Sequence, residues 1–161
     1  MFLTIGIILP FFTGQIKEAG DSLLPMHIPV MLCGVICGSK YGLAVGFLLP
    51  YVRSALFFMP PMYPNAVWMS LELATYGFVI GMLYYRKTNR PVGYLYFCII
   101  SAMIAGRIVW GIAKTILLGL DGSVFTFHAF IVGGFVDAIP GIILQLILIP
   151  SIIGVIKKQI I

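Results

Sequence analysis

The sequence predicts an all-α integral membrane protein, a compact bundle of six transmembrane helices with both termini cytoplasmic. Three observations predict it. In composition, 61% of the 161 residues are hydrophobic, 9% are charged and mean hydropathy is +1.10, whereas soluble domains carry about a quarter charged residues. In length, a bilayer core of about 30 Å takes about 20 apolar residues per helix, so the chain has room for five or six spans and little else. That predicts one domain over residues 1–161. In charge pattern, basic residues gather in alternate connections between the apolar segments.

Residues 1–13 are apolar but long enough for only part of a span, interrupted at Pro10 and followed by Gly14. The first helix is either short or begins upstream of Met1, and the lack of a basic leader or small-residue cleavage site argues against a cleavable signal peptide. The polar connection 14–24 follows, then a second short span at 25–37 opened by Pro25 and Pro29. A turn at 38–40 leads to the third span, 41–58. Residues 59–65 (MPPMYPN) predict a stiff loop, because three prolines remove donors and clash with a preceding turn. The fourth span is 66–85, the basic turn 86–90 (RKTNR) leads to the fifth at 92–118, and 119–123 (GLDGS) precedes a long sixth span at 125–156.

Alternating these connections across the membrane puts Lys40, Arg86, Lys87, Arg90, Lys157 and Lys158 on one side with no acidic residue. The other side carries Lys17 against Glu18, Asp21 and Asp121, so the first side is predicted to be cytoplasmic. Topology thus accounts for the net charge of +5, and it implies no nucleic-acid partner. Small residues four apart, Gly34/Gly38, Gly42/Gly46, Gly77/Gly81 and Ala102/Gly106, predict helix seams. Cys33, Cys37 and Cys98 lie in apolar runs without metal-ligand spacing and read as packing residues.

Five charges fall inside the apolar spans: Arg53, Glu72, Arg107, Lys114 and Asp137. A charge at mid-bilayer costs roughly 2.5–3.5 kcal/mol on insertion scales, so the five together predict a polar cavity between helices. Asp137 lies about 12 residues, or about 18 Å, into the sixth span, which places it near the midplane, and Arg53, Glu72 and Lys114 lie toward the outer side. Arg107, Trp110 and Lys114 share a helix face, as do Asn65, Met69, Glu72 and Tyr76. Hydrogen-bonding groups mixed with aromatics are the lining of a small-molecule site, and His27, Gln15, Tyr63 and Trp68 are candidates for its wall or rim. The bland alternative is mutual neutralisation, Glu72 with Arg53 or Arg107 and Asp137 with Lys114. Three cations against two anions leave one positive charge over, and an anionic ligand would match it. His27 stands alone as a metal ligand, so no metal or other cofactor is expected. No nucleophile triad, phosphate-binding glycine loop or catalytic carboxylate pair is present, so nothing predicts an enzyme.

The runs LPMHIPVMLCGVICG at 24–38, YGLAVGFLLPYVRSALFFMPPMYPNAVWMSLELATYG at 41–77 and AFIVGGFVDAIPGIILQLILIP at 129–150 carry a family likeness. They resemble the substrate-binding S components of energy-coupling factor (ECF) vitamin transporters, and MHIPV and ELATYG look closest to the pantothenate-type branch. The resemblance implies a six-helix subunit of a bacterial plasma membrane that binds one vitamin at its outer face. It also implies three partners, a transmembrane coupling subunit and two cytoplasmic ATPase subunits. Hydroxymethylpyrimidine, pyridoxine and cobalamin branches are neighbours. Nickel and cobalt members carry Met-His-Ile at the N-terminus, whereas Met26-His27-Ile28 is internal here. Two rivals of other classes lack their signatures. A self-contained secondary transporter predicts inverted repeats with broken helices, and a small lipid-phosphate enzyme predicts clustered acidic ligands.

Overall fold

Proline and glycine punctuate this chain, and its helices start and stop where they stand. The computed structural model describes residues 1–13, 24–87, 91–120 and 126–160, and every regular element among them is helical. Helix α1, Phe2–Ile8, tightens into a 3₁₀ turn, Leu9–Thr13, around Pro10, which has no N–H to continue the ladder. Helix α2 is His27–Cys37, entered by a turn in which the His27 N–H donates to the Leu24 carbonyl at 3.1 Å. Pro29 falls in its first turn, where no donor is required. Gly38, at φ 101°, supplies the conformation that reverses the chain into α3, Ser39–Phe57. Phe58 ends α3 in the left-handed region at φ 57°, and the proline-rich stretch expected as a stiff loop makes a wide turn at Met62–Ala66.

Helix α4 is Val67–Arg86, and α5 is Val92–Leu120, whose 29 residues extend about 44 Å. Within the single long helix expected at 125–156, the described residues from 126 onward form more than one segment. These are α6, Phe127–Ile131, a wide turn at Val132–Val136 and α7, Ile139–Ile160. The physical cause is Pro140, which offers no N–H to the Val136 carbonyl and whose ring would clash with it. The helix widens ahead of it, and the Asp137 N–H reaches back five residues to Val132 at 2.9 Å. Asp137 therefore stands where the helical path widens and leaves its regular ladder, inside the apolar stretch Val132–Ile156.

By length and composition, three helical stretches can cross a membrane: Met62–Arg86, Val92–Gly119 and Val132–Ile156. Phe2–Phe11 and His27–Cys37 are apolar but shorter. The connections 14–23, 88–90 and 121–125, with Gln15 and much of the loop charge, lie outside the described residues.

Helix α4 is the central element, packed on α2, α3 and α5. Glycine makes this close approach possible: a Cβ at Gly34 or Gly42 would stand 2.5 Å from the Gly77 carbonyl oxygen, so backbones rather than side chains meet there. Tyrosine hydroxyls tie the opposite end, Tyr85 to the Ile36 carbonyl and Tyr94 to the Leu83 carbonyl, each at 2.8 Å. On α5, Ile100, Ile104, Ile108, Ile112 and Ile116 form an exposed ridge at four-residue spacing, and Ile139, Ile143 and Ile147 repeat it on α7. Apolar ridges of this kind suit lipid contact. The inward faces divide by chemistry. Ile28, Met31, Leu32, Ile80, Tyr84, Ile99 and Ile149 pack a dry core toward one end, while His27 of α2, Glu72 of α4 and Arg107 of α5 collect toward the other.

Candidate functional site

Helices α2 and α4 lie side by side, and each presents a polar residue in its first two turns, His27 and Glu72. Arg107 comes from the middle of α5 to meet them. Its Nη1 lies 2.9 Å from Glu72 Oε1, and His27 Nε2 lies 3.4 Å from the same oxygen. All three side chains are buried, at 2–4% exposure. Such burial makes the pairing decisive, because an isolated charge in this environment would cost several kcal/mol. The pairing is incomplete: Arg107 Nε and Nη2 and His27 Nδ1 are buried without a hydrogen-bond partner among the described residues. Buried donors are ordinarily satisfied, and exceptions concentrate where a ligand or water completes the set.

These groups form the floor of a cavity of about 640 Å³, within the size range of small-molecule sites. Met26, Trp68, Met69 and Trp110 supply its apolar walls, and Phe58, Pro60, Pro61 and Asn65 come from the turn between α3 and α4. One full heptad beyond Arg107 on α5, Lys114 projects its Nζ to 5.4 Å from the Trp68 ring centre and 4.6 Å from that of Trp110. At those distances the two indoles help hold a cation in an apolar wall. Gly134 packs beside Trp110, where a Cβ would make ordinary van der Waals contact with the ring at 3.4 Å. The neighbouring Asp137 is exposed and lines the cavity from between α6 and α7.

Of the nine residues singled out from the sequence, His27, Arg53, Asn65, Glu72, Arg107, Trp110, Lys114 and Asp137 line this one cavity. Tyr76 does not. It lies one turn deeper on α4, 2% exposed, with its ring edge-on to His27 at 4.8 Å, so it backs the floor rather than lining it. Arg53 reaches the cavity in a different way from the others. Its Nη1 donates to the Ile7 carbonyl at 2.9 Å and its guanidinium lies 5.7 Å from the Phe11 ring and 5.8 Å from that of Phe57. It thereby pins the end of α1 to α3, and the Glu72–Arg53 pairing weighed from the sequence is not formed, because Glu72 goes to Arg107. Tyr63 is 54% exposed in the wide turn and is not among the lining residues.

Met69 lines the cavity as its helix stripe implied, whereas the sequence analysis points neither to Met26 as a wall nor to Gln145. This α7 amide is 1% exposed with neither Nε2 nor Oε1 hydrogen-bonded among the described residues. One amide in the apolar run 142–149 was its signal. A second groove, of about 540 Å³, runs along the isoleucine face of α5 past Gly111, Thr115 and Phe130 and holds no charged side chain. Among the described residues, no group of three His, Cys, Asp or Glu side chains is placed to hold a metal ion.

The chain matches the family model "ECF transporter, substrate-specific component" over residues 1–153. No curated protein and no solved structure matches it.

Proposed function

The chain belongs to the family of ECF transporter substrate-specific components, and from that premise we propose that its cavity binds a small anionic vitamin, pantothenate foremost. Membership makes it the membrane-embedded subunit that selects the substrate, and members of the family are transport subunits rather than enzymes. One observation carries the choice of ligand. Among the described residues, the cavity side chains include three cations, Arg53, Arg107 and Lys114, against two anions, Glu72 and Asp137, a positive surplus beside two tryptophans. Pantothenate is a carboxylate with hydroxyl and amide groups and a gem-dimethyl end, and those features match charge, hydrogen-bonding and indole surfaces respectively. The MHIPV and ELATYG patterns support the same branch.

A ligand screen on purified protein by thermal shift tests this reading. Pantothenate is expected to raise the unfolding temperature, while nickel and cobalamin leave it unchanged. Stabilisation by pyridoxine or hydroxymethylpyrimidine, with none by pantothenate, would replace the anionic vitamin with a neutral one.

In the proposed arrangement six spans cross a bacterial plasma membrane, both termini are cytoplasmic, and the subunit works with a transmembrane coupling subunit and two cytoplasmic ATPase subunits. The clustering of basic residues in alternate connections supports this topology. Single cysteines at Thr88 and Gly122 should respond oppositely to an impermeant thiol reagent in intact cells, with only the second modified. Modification at Thr88 would contradict six spans.

A further inference from the structure

Resting on the reading of this cavity as the ligand site, we propose that the ligand enters with its uncharged end foremost. A hydroxyl, carbonyl or amide group meets the Glu72–Arg107 pair at the floor, and the charged end stays beside Lys114 between the two tryptophans.

The argument starts from Arg107. Its positive charge already faces the Glu72 carboxylate at 2.9 Å, and both side chains are almost fully buried. A second carboxylate on the same guanidinium would stand close to Glu72 in a poorly solvated site, where like charges repel strongly. Yet Nε and Nη2 of Arg107 are buried donors with no acceptor among the described residues, so the floor calls for an oxygen that brings no charge. A neutral hydroxyl or carbonyl oxygen satisfies that requirement. A hydroxyl does more, because its proton is available to Glu72 Oε1, whose ion-pair contact with Arg107 Nη1 lacks hydrogen-bond geometry.

The far end of the site has the opposite character. Lys114 lies seven residues along α5 from Arg107, or about 10 Å at 1.5 Å per residue. Its ammonium sits against Trp68 and Trp110, on the wall completed by Asp137 and Gly133. An extended ligand about 10 Å long spans the two positions, with its apolar middle against the indoles. Glu72 is then a positioning residue that holds the Arg107 fork and sets the polarity of binding.

Pairing each side-chain change with a change of ligand charge tests the polarity. Equilibrium binding of pantothenate and of its neutral alcohol, panthenol, is measured on the parent, Arg107→Gln and Lys114→Gln, with pyridoxine and hydroxymethylpyrimidine as further neutral probes. Loss of the floor contact should weaken pantothenate and panthenol by the same factor, about 30-fold or more. Lys114→Gln should weaken pantothenate about ten-fold or more and leave panthenol within about three-fold. If Arg107→Gln destroys pantothenate binding while sparing panthenol, the carboxylate lies at the floor and the proposal is overturned. Should only a neutral probe bind the parent, the anionic-vitamin reading fails. The polarity is still decided, because parent-like affinity of Arg107→Gln for that probe overturns it and a loss of about 30-fold upholds it. Where Arg107→Gln does not fold, Arg107→Lys serves, since it keeps the charge opposite Glu72 but lacks the planar fork. The same charge-blind loss is expected of it, and selective loss of pantothenate again overturns the proposal.

Discussion

Glu72→Gln should lower the stability of the folded protein by about 3–5 kcal/mol, and adding Arg107→Gln on top should recover a substantial part of that loss. The sign of the second step is the informative part. In the parent, Glu72 and Arg107 are 2% and 4% exposed and 2.9 Å apart, so each compensates for the desolvation of the other. Removing the carboxylate charge leaves a guanidinium buried among Trp110, Tyr76 and His27 without a counter-charge, which costs far more than the pair itself contributes. Removing both charges leaves two amides of similar volume that can bond to each other or to water. Thermal unfolding in detergent without ligand reads the effect. A double variant less stable than either single variant would mean that the two residues do not compensate each other. The bond from Arg53 to the Ile7 carbonyl provides a contrast, since its acceptor is neutral and its guanidinium lies near Phe11 and Phe57.

Helix boundaries were legible because the residues that set them act locally. Pro25 and Pro29, Gly38, and the prolines of 60–64 each change the backbone within a turn, so α2, α3 and α4 fall within two residues of the expected spans. The widening at Asp137 obeys the same rule. Pro140 marks it, but a proline inside a helical run leaves two outcomes open, one helix that carries it, as with Pro50 and Pro150, or a division into two. Which of them occurs depends on whether the preceding turn can widen, and Gly133 and Gly134 in that turn impose no side-chain bulk.

The members of the site were legible for a different reason. Charges in an apolar span have few tolerable positions, so Arg107, Lys114, Glu72 and Asp137 had to face a shared interior, and all four line one cavity. Their pairing was not legible. Helical periodicity puts Arg107 and Lys114 on one face of α5 but says nothing of how α5 is rotated against α4, and that rotation decides that Arg107 rather than Arg53 meets Glu72. The destination of Arg53 depends on α1 docking against α3, where a Cβ at Gly6 would come 2.6 Å from the Leu49 side chain. Tyr76 shows the limit of the stripe argument. It shares a face with Asn65 and Glu72, yet one further turn takes it below the cavity floor and into the dry core.

Vitamin uptake into liposomes is the measurement closest to the central claim, that this chain selects a substrate but does not drive its transport. The chain belongs to a family of substrate-specific transport subunits, its described residues form helices around one cavity, and the sequence shows no phosphate-binding glycine loop. The protein alone is therefore expected to bind labelled pantothenate at the outer face without concentrating it. Addition of a coupling subunit and two ATPase subunits, with ATP, should convert binding into accumulation. The expected contrast is all or none, with lumenal label above the external concentration only when the complete module and ATP are present. Pantothenate accumulation by liposomes containing this protein alone would contradict the account.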